Sequence, residues 1–172
     1  WDLAFKDTDG SSFVVGQLWG MLGADCYLLK QMRGHMDILA TIKAVLDLTR
    51  LDKRARTKLI EDKANGPAVL RMLRKRLPGL IPVPVRGSKV ERAIAIVPFL
   101  QSANVYVPNP LYHPWVQEFL DECTAFPHGQ TDDQVDAFTQ AINHLLGGRL
   151  LTYKKDRLYS AFRELAGDET GE

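Results

Sequence analysis

The stretch TDDQVDAFTQAINHLL (residues 131–146) decides the fold, because it carries the clearest helix signal in the chain together with its densest group of acids. Thr131 and Gln134 stand in capping-box positions, and the glycines at 147–148 end the pattern. The apolar positions that recur at helical spacing are Val135, Phe138, Ile142 and Leu145. We therefore predict a helix over 131–146 that buries one face.

Three acids lie at the start of this predicted helix: Asp132, Asp133 and Asp136. At spacings of three and four residues they share one helical face, where like charges repel each other. The positive end of the helix dipole explains Asp132 and Asp133, but it does not explain Asp136 in the second turn. The group is therefore a candidate for binding a cation.

Two further acidic positions stand far away in the sequence. Asp2 alternates with the large apolar residues of segment 1–5 and so lies on the opposite face of that predicted strand. Glu61 and Asp62 end another short strand-like segment, residues 58–62. Adjacent strand residues point to opposite faces, so only one of Glu61 and Asp62 can readily join a common site, and both stay open. If the fold brings the three groups together, their carboxylates form a cage of the hard oxygen ligands that Mg²⁺ or Mn²⁺ prefers.

The rest of the chain alternates between strand and helix patterns, which predicts an α/β fold. Asp37 is a candidate helix cap, and Pro67 falls in the first turn of another predicted helix, where its missing N–H is harmless. Predicted strands cover 1–5, 13–19, 26–32, 58–62, 80–85 and 105–107, and further helices begin near 37 and 65 and cover 88–100 and 114–123. We expect a mixed sheet, with three antiparallel strands followed by parallel strands, flanked by helices; this order is the ribonuclease H-like one.

Composition is that of a globular protein: 172 residues, 45% hydrophobic and 25% charged. There is no apolar run of about 20 residues and no signal-peptide pattern, so we expect a soluble, cytoplasmic protein. Cys26 and Cys123 lack metal-ligand spacing and are expected to be reduced and buried. The net charge of +1 conceals basic runs at 50–58, 71–76 and 86–92, which suit a phosphate backbone.

Five pieces of the sequence together resemble a known family. They are WDLAFKDTDGSSFVVGQLWG (1–20), IEDKANGPAV (60–69), GSKVERA (87–93), NVYVPNP (104–110) and FPHGQTDDQVDAF (126–138). In this order they are similar to the nuclease domain of tailed-phage terminase large subunits, which belongs to the ribonuclease H-like superfamily.

The resemblance implies a metal-dependent endonuclease that cuts concatemeric double-stranded DNA during viral packaging, with two Mg²⁺ or Mn²⁺ ions, in the cytoplasm of a bacterial host. Asp2 and Asp133 match catalytic, metal-binding acids of the family, and Glu61 stands five residues before Gly66, as the family motif requires. Asp62 remains a rival to Glu61 as catalytic ligand. The metal prediction also includes Asp136, as a supporting ligand, and Asp132. The residues predicted to bind DNA are Lys89 and Arg92, which match basic positions of the family, together with Arg86 and Lys63.

Domain boundaries and partners follow from the same resemblance. We expect a nuclease domain over 1–148 and a polar C-terminal tail over 149–172. The chain has no phosphate-binding loop of the G-x-x-x-x-G-K-[ST] type, so the packaging ATPase is expected upstream, in a longer protein. The implied partners are that motor, the terminase small subunit and the capsid portal. Two alternatives remain: a junction resolvase or transposase-like nuclease of the same fold, and a docking module without catalysis.

Overall fold

The computed structural model describes residues 1–3, 13–63 and 66–147. The strands are β1 (Asp2–Leu3), β2 (Val14–Leu22), β3 (Asp25–Gly34), β4 (Lys58–Glu61), β5 (Leu80–Val83) and β6 (Val105–Tyr106). The helices are α1 (Ile38–Leu51), α2 (Gly66–Leu73), α3 (Lys89–Ile94), α4 (Val97–Gln101), α5 (Trp115–Ala125) and α6 (Asp133–Leu145). The predicted tail at 149–172 lies outside the described residues.

The strands form one sheet in the order β1-β2-β3-β6 and a second pair, β4-β5. Strands β1 and β2 are antiparallel, whereas β3 pairs with β6, and β4 with β5, in the parallel sense. The prediction of an α/β fold with antiparallel and then parallel strands, flanked by helices, is therefore confirmed. Among the described helices, none is long and apolar enough to cross a membrane.

Two further hydrogen bonds connect β1 with β4. The amino nitrogen of Trp1 donates to the carbonyl oxygen of Leu59 at 2.8 Å, and the N–H of Glu61 donates to the carbonyl oxygen of Trp1 at 3.3 Å. In a parallel ladder, a residue is hydrogen-bonded to the two residues that flank its partner on the neighbouring strand. Here those two residues are Leu59 and Glu61, on either side of Ile60. Strand β4 therefore lies beside β1, in register with it.

The chain divides into two compact units, and each has its own core. The first unit contains residues 1–18 and 30–86, and the second contains residues 19–29 and the described residues from 87 onward. In the first unit Trp1 covers Gly16 so closely that a side chain at residue 16 would overlap the indole ring. In the second unit Phe138 packs edge-on against Phe119, with ring centroids 5.5 Å apart. The buried faces of α1, α2, α5 and α6 supply most of this packing.

Helix termini agree with the sequence at Asp37, whose carboxylate accepts from the N–H of Ala40 at 2.7 Å. The prediction of one helix over 88–100 is wrong, because α3 ends at Ile94 and α4 begins at Val97. Pro98 is the physical reason: proline has no N–H to donate, and its ring clashes with the carbonyl four residues earlier. The chain therefore ends one helix and starts another, with Pro98 in the first turn of the second.

Substituting Gly66 by alanine tests the contact that positions α2 after β4. A Cβ atom at residue 66 would overlap the carbonyl oxygen of Glu61. Gly→Ala in a helix normally stabilises by about 1 kcal/mol, but here we expect a loss of about 1–3 kcal/mol in the free energy of unfolding, measured by urea denaturation. The control is Gly34→Ala, whose new Cβ would make only ordinary contact with Met36, 3.4 Å away. Equal effects in the two variants would contradict the prediction.

Candidate metal centre

Asp2 and Glu61 lie side by side in the first unit. Trp1 is bonded between Leu59 and Glu61, so Trp1 is in register with Ile60, and both of these side chains are buried. The next pair in register is Asp2 with Glu61, and alternation along the strands places both on the opposite face. Asp2 is only 6% exposed, and Glu61 is half-buried. Two carboxylates therefore occupy neighbouring positions on one face of two parallel strands.

The environment of the Trp1 amino group agrees with this register. The negative charges of Asp2 and Glu61 both act on this nitrogen, so both carboxylates lie close to it.

Asp62, the rival of Glu61, is placed differently. It follows the last residue of β4 and is exposed, and its N–H donates to the carbonyl oxygen of Val83 at 2.8 Å. The backbone oxygen of Glu61, in contrast, lies against Gly66 at the start of α2. The close approach of this oxygen to Gly66 is the structural cause of the spacing between an acid and a glycine five residues later. The strand register makes Glu61, and not Asp62, the neighbour of Asp2.

In the second unit the acids stand at the beginning of α6. Asp133 is the first residue of the helix and is 6% exposed, and Asp136, three residues later, is 7% exposed. The predicted capping box is wrong, since the helix is capped from another element: the N–H groups of Gln134 and Val135 donate to Glu122 Oε1 of α5, at 2.6 and 3.2 Å. The Thr131 hydroxyl donates to Glu122 Oε2 at 2.9 Å rather than accepting from the helix.

Two basic residues of α3 are ion-paired with these acids. Lys89 Nζ lies 2.5 Å from Asp132 Oδ1 and 2.7 Å from Asp136 Oδ2. Arg92 Nη2 lies 2.6 Å from Asp136 Oδ1, and this second pair is largely buried. Burial lowers the pKa of Lys89, but its hydrogen bonds to Asp132 and Asp136 outweigh that effect and raise the pKa above its ordinary value. Lys89 therefore neutralises Asp132 and Asp136, Arg92 neutralises Asp136, and both attach α3 to the start of α6.

The other basic positions divide into exposed and buried groups. Arg86 and Lys63 are exposed, as binding to a phosphate backbone requires. Lys58, which belongs to the basic run at 50–58, is buried, and its Nζ donates to the carbonyl oxygens of Arg56 and Pro78, at 3.2 Å each. Burial also lowers the pKa of Lys58. Its ammonium group satisfies backbone carbonyls rather than meeting a ligand.

Carboxylate oxygens are the ligands that Mg²⁺ and Mn²⁺ prefer, and each unit carries such groups: Asp2 and Glu61 in the first, Asp133 in the second. Asp2 and Asp133 are both buried, and a cation offsets the cost of burying a charge. Within the part of the chain that the structure describes, no group of three or more His, Cys, Asp or Glu side chains is assembled as a metal-binding set. The pair Asp2 and Glu61 is what the structure brings together, and the roles of all these residues as ligands stay predictions.

Glu122 is a residue of this region that the sequence reasoning missed. It is 6% exposed and lies on the same face of α5 as Phe119 and Cys123, both fully buried. The available signal was the position of Glu122, three residues after the apolar Phe119 and one residue before Cys123. An acid at such a position is buried with them, and a buried carboxylate needs hydrogen-bond donors. The sequence could not show that these donors come from α6.

Comparison with protein families gives one match. A family model described as a terminase RNaseH-like domain matches residues 1–145. The matched region extends from β1 to the last residue of α6, and thus contains every strand and helix described above. A comparison with curated proteins found no match.

The ion pairs between α3 and α6 should differ in strength. We expect Arg92→Met to lower the free energy of unfolding by about 1–3 kcal/mol, because it removes a charged hydrogen bond from a buried carboxylate. Lys89→Met should cost about 1 kcal/mol or less, since its side chain is 42% exposed. Urea denaturation of both variants, of Asp136→Asn and of Arg92→Met/Asp136→Asn gives the Arg92–Asp136 coupling energy. A coupling energy of zero would show that this pair contributes nothing to stability.

Proposed function

Because the chain belongs to the terminase RNaseH-like domain family, we propose that it is the metal-dependent DNA endonuclease domain of a viral packaging terminase, and that it cuts concatemeric double-stranded DNA. Membership makes it a terminase domain of the nuclease type with a ribonuclease H-like fold. Cleavage with bound metal goes beyond membership and is the proposal. The observation that carries it is the register of β1 with β4, which sets Asp2 and Glu61 side by side.

In the proposed mechanism Asp2, Glu61 and Asp133 hold the metal. When bound, two Mg²⁺ or Mn²⁺ ions would supply the positive charge that activates water and stabilises the leaving 3′ oxygen of the phosphodiester. The strand ladder fixes the backbone of Asp2 and Glu61 in the first unit, and Asp133 is the first residue of α6 in the second unit. These residues act by position and charge, and no side-chain nucleophile is required.

DNA would be bound through its backbone, by exposed cations. Lys63 follows β4 by two residues and Arg86 follows β5 by three, and both are exposed. Lys89 and Arg92 are engaged with Asp132 and Asp136, so their contribution to DNA binding would require those ion pairs to rearrange. The proposed partners are double-stranded DNA, a packaging ATPase, the terminase small subunit and the capsid portal, in the cytoplasm of a bacterial host.

Cleavage of supercoiled plasmid with Mn²⁺, Mg²⁺, Ca²⁺ or EDTA tests the function. We expect nicked and linear products with Mn²⁺ or Mg²⁺ and none in EDTA. Asp133→Asn and Glu61→Gln should each reduce the rate at least about 100-fold, because each removes a metal ligand, and every 1.4 kcal/mol of lost stabilisation is tenfold in rate.

Two control variants test whether a loss of cleavage is specific to the proposed metal ligands. Asp62→Asn removes the exposed acid next to Glu61, and Asp121→Asn removes an exposed acid of α5; both should cleave at the unsubstituted rate. Cleavage by Asp133→Asn at that rate would overturn the assignment of the site. A branched substrate in the same assay identifies the alternative, a junction resolvase, if it is cut in preference to linear duplex.

The salt dependence of DNA binding tests the role of Lys63 and Arg86. Removing one cation that neutralises a phosphate should reduce the slope of log K against log salt by about 0.9. We expect Lys63→Ala and Arg86→Ala each to reduce the slope by about one and to weaken binding equally on unrelated sequences, in a fluorescence anisotropy titration with Ca²⁺ in place of Mg²⁺. Unchanged slopes would place the DNA on another surface.

A further inference from the structure

Glu122 is a buried carboxylate whose oxygens are fully used by the start of another helix. Its Oε1 accepts from the N–H groups of Gln134 and Val135, at 2.6 and 3.2 Å. Its Oε2 accepts from Gln134 Nε2 at 2.8 Å and from the Thr131 hydroxyl at 2.9 Å. One side chain of α5 thus binds four donors from residues 131–135, which include the first turn of α6.

This arrangement replaces the usual cap of a helix. The first N–H groups of a helix have no partner within it, and they carry the positive end of the helix dipole. Asp132 occupies the N-cap position, but its side chain makes no capping hydrogen bond. Because Glu122 supplies both the acceptors and the negative charge, the direction in which α6 starts is set by α5.

Asp133 lies directly between the residues that Glu122 holds. It is the first residue of α6; Thr131 and Asp132 precede it in the sequence, and Gln134 and Val135 follow it. Its backbone therefore has little freedom to move while Glu122 is bonded on both sides of it. One turn later Asp136 is held by Lys89 and Arg92 of α3, so the first two turns of the helix are fixed from two elements.

We propose that Glu122 is a positioning residue for the metal ligand Asp133: it fixes the first turn of α6 and thereby the placement of the Asp133 carboxylate. The inference rests on the proposed function, in which Asp133 binds the cation. Glu122 itself touches neither metal nor DNA in this role. Residues that hydrogen-bond a metal ligand directly typically change metal affinity 10- to 100-fold when they are replaced, and Glu122 acts one step further away, through the start of α6.

The test compares Glu122→Gln with the unsubstituted chain. Glutamine keeps the volume, but it has one acceptor oxygen instead of two, and its amide would meet another donor at Gln134 Nε2. We expect Mn²⁺ binding to the DNA-free protein, measured by isothermal titration calorimetry, to weaken about 10-fold. Amide hydrogen exchange at Gln134 and Val135 should become faster in the same variant, because their acceptor is impaired.

Two further variants separate positioning from charge and from general instability. Thr131→Val removes one donor to Glu122 without changing the charge, and should weaken Mn²⁺ binding in the same direction but less. Asp121→Asn removes an exposed negative charge one residue before Glu122 and should leave both Mn²⁺ affinity and exchange unchanged. All titrations are run well below the melting temperature of each variant, measured by circular dichroism.

The outcomes distinguish this inference from the function on which it rests. Faster exchange in Glu122→Gln with unchanged Mn²⁺ affinity would show that Glu122 serves helix stability alone, and would overturn the inference while the nuclease proposal stands. An equal loss of affinity in Asp121→Asn would overturn it too, since charge rather than position would be the cause. If the unsubstituted chain bound no Mn²⁺ and cut no plasmid, the proposed function would fall first, and this inference with it.

Discussion

The hydrogen bonds that hold Trp1 between Leu59 and Glu61 are the constraint on which the first unit depends. They join the β4-β5 pair to β1, and so bring segments almost sixty residues apart into register. A shift of one residue would move every side chain of β4 to the other face. Ile60 would then leave the core, and Glu61 would leave the face that carries Asp2. Burial of Trp1 and Ile60 therefore fixes the placement of the two acids.

In the second unit the acidic residues are positioned by ion pairs and hydrogen bonds between helices, and not by strand register. Glu122 accepts from the beginning of α6, and Lys89 with Arg92 pairs with Asp136 one turn later. Removing one partner of such a group leaves a buried charge without compensation, which costs more than the contact itself contributes. The start of α6 is thus determined by α5 and α3 together.

Local signals in the sequence predicted the order of helices and strands well, since periodicity and caps such as Asp37 depend on nearby residues. They failed where a distant residue decides. Thr131 and Gln134 fit a capping box by spacing, yet Glu122 takes both as donors. Lys89 and Arg92 were predicted to bind DNA because they match basic positions of the family, and that match does not reveal that Asp132 and Asp136 are within reach. That Glu61 rather than Asp62 is the neighbour of Asp2 likewise follows only from the strand register.

Electrostatics also ranks the acids as ligands. A divalent cation is attracted by negative charge that is not already neutralised, and Asp136 shares its charge with both Lys89 and Arg92. Asp132 is paired with Lys89 in the same way. Each ion pair would have to be weakened before these carboxylates could hold a metal strongly. Asp2 and Glu61 lie beside each other with like charge, and such a pair gains from a cation, because the cation relieves their repulsion. Any cation bound by Asp132 or Asp136 therefore has to offset the loss of these ion pairs.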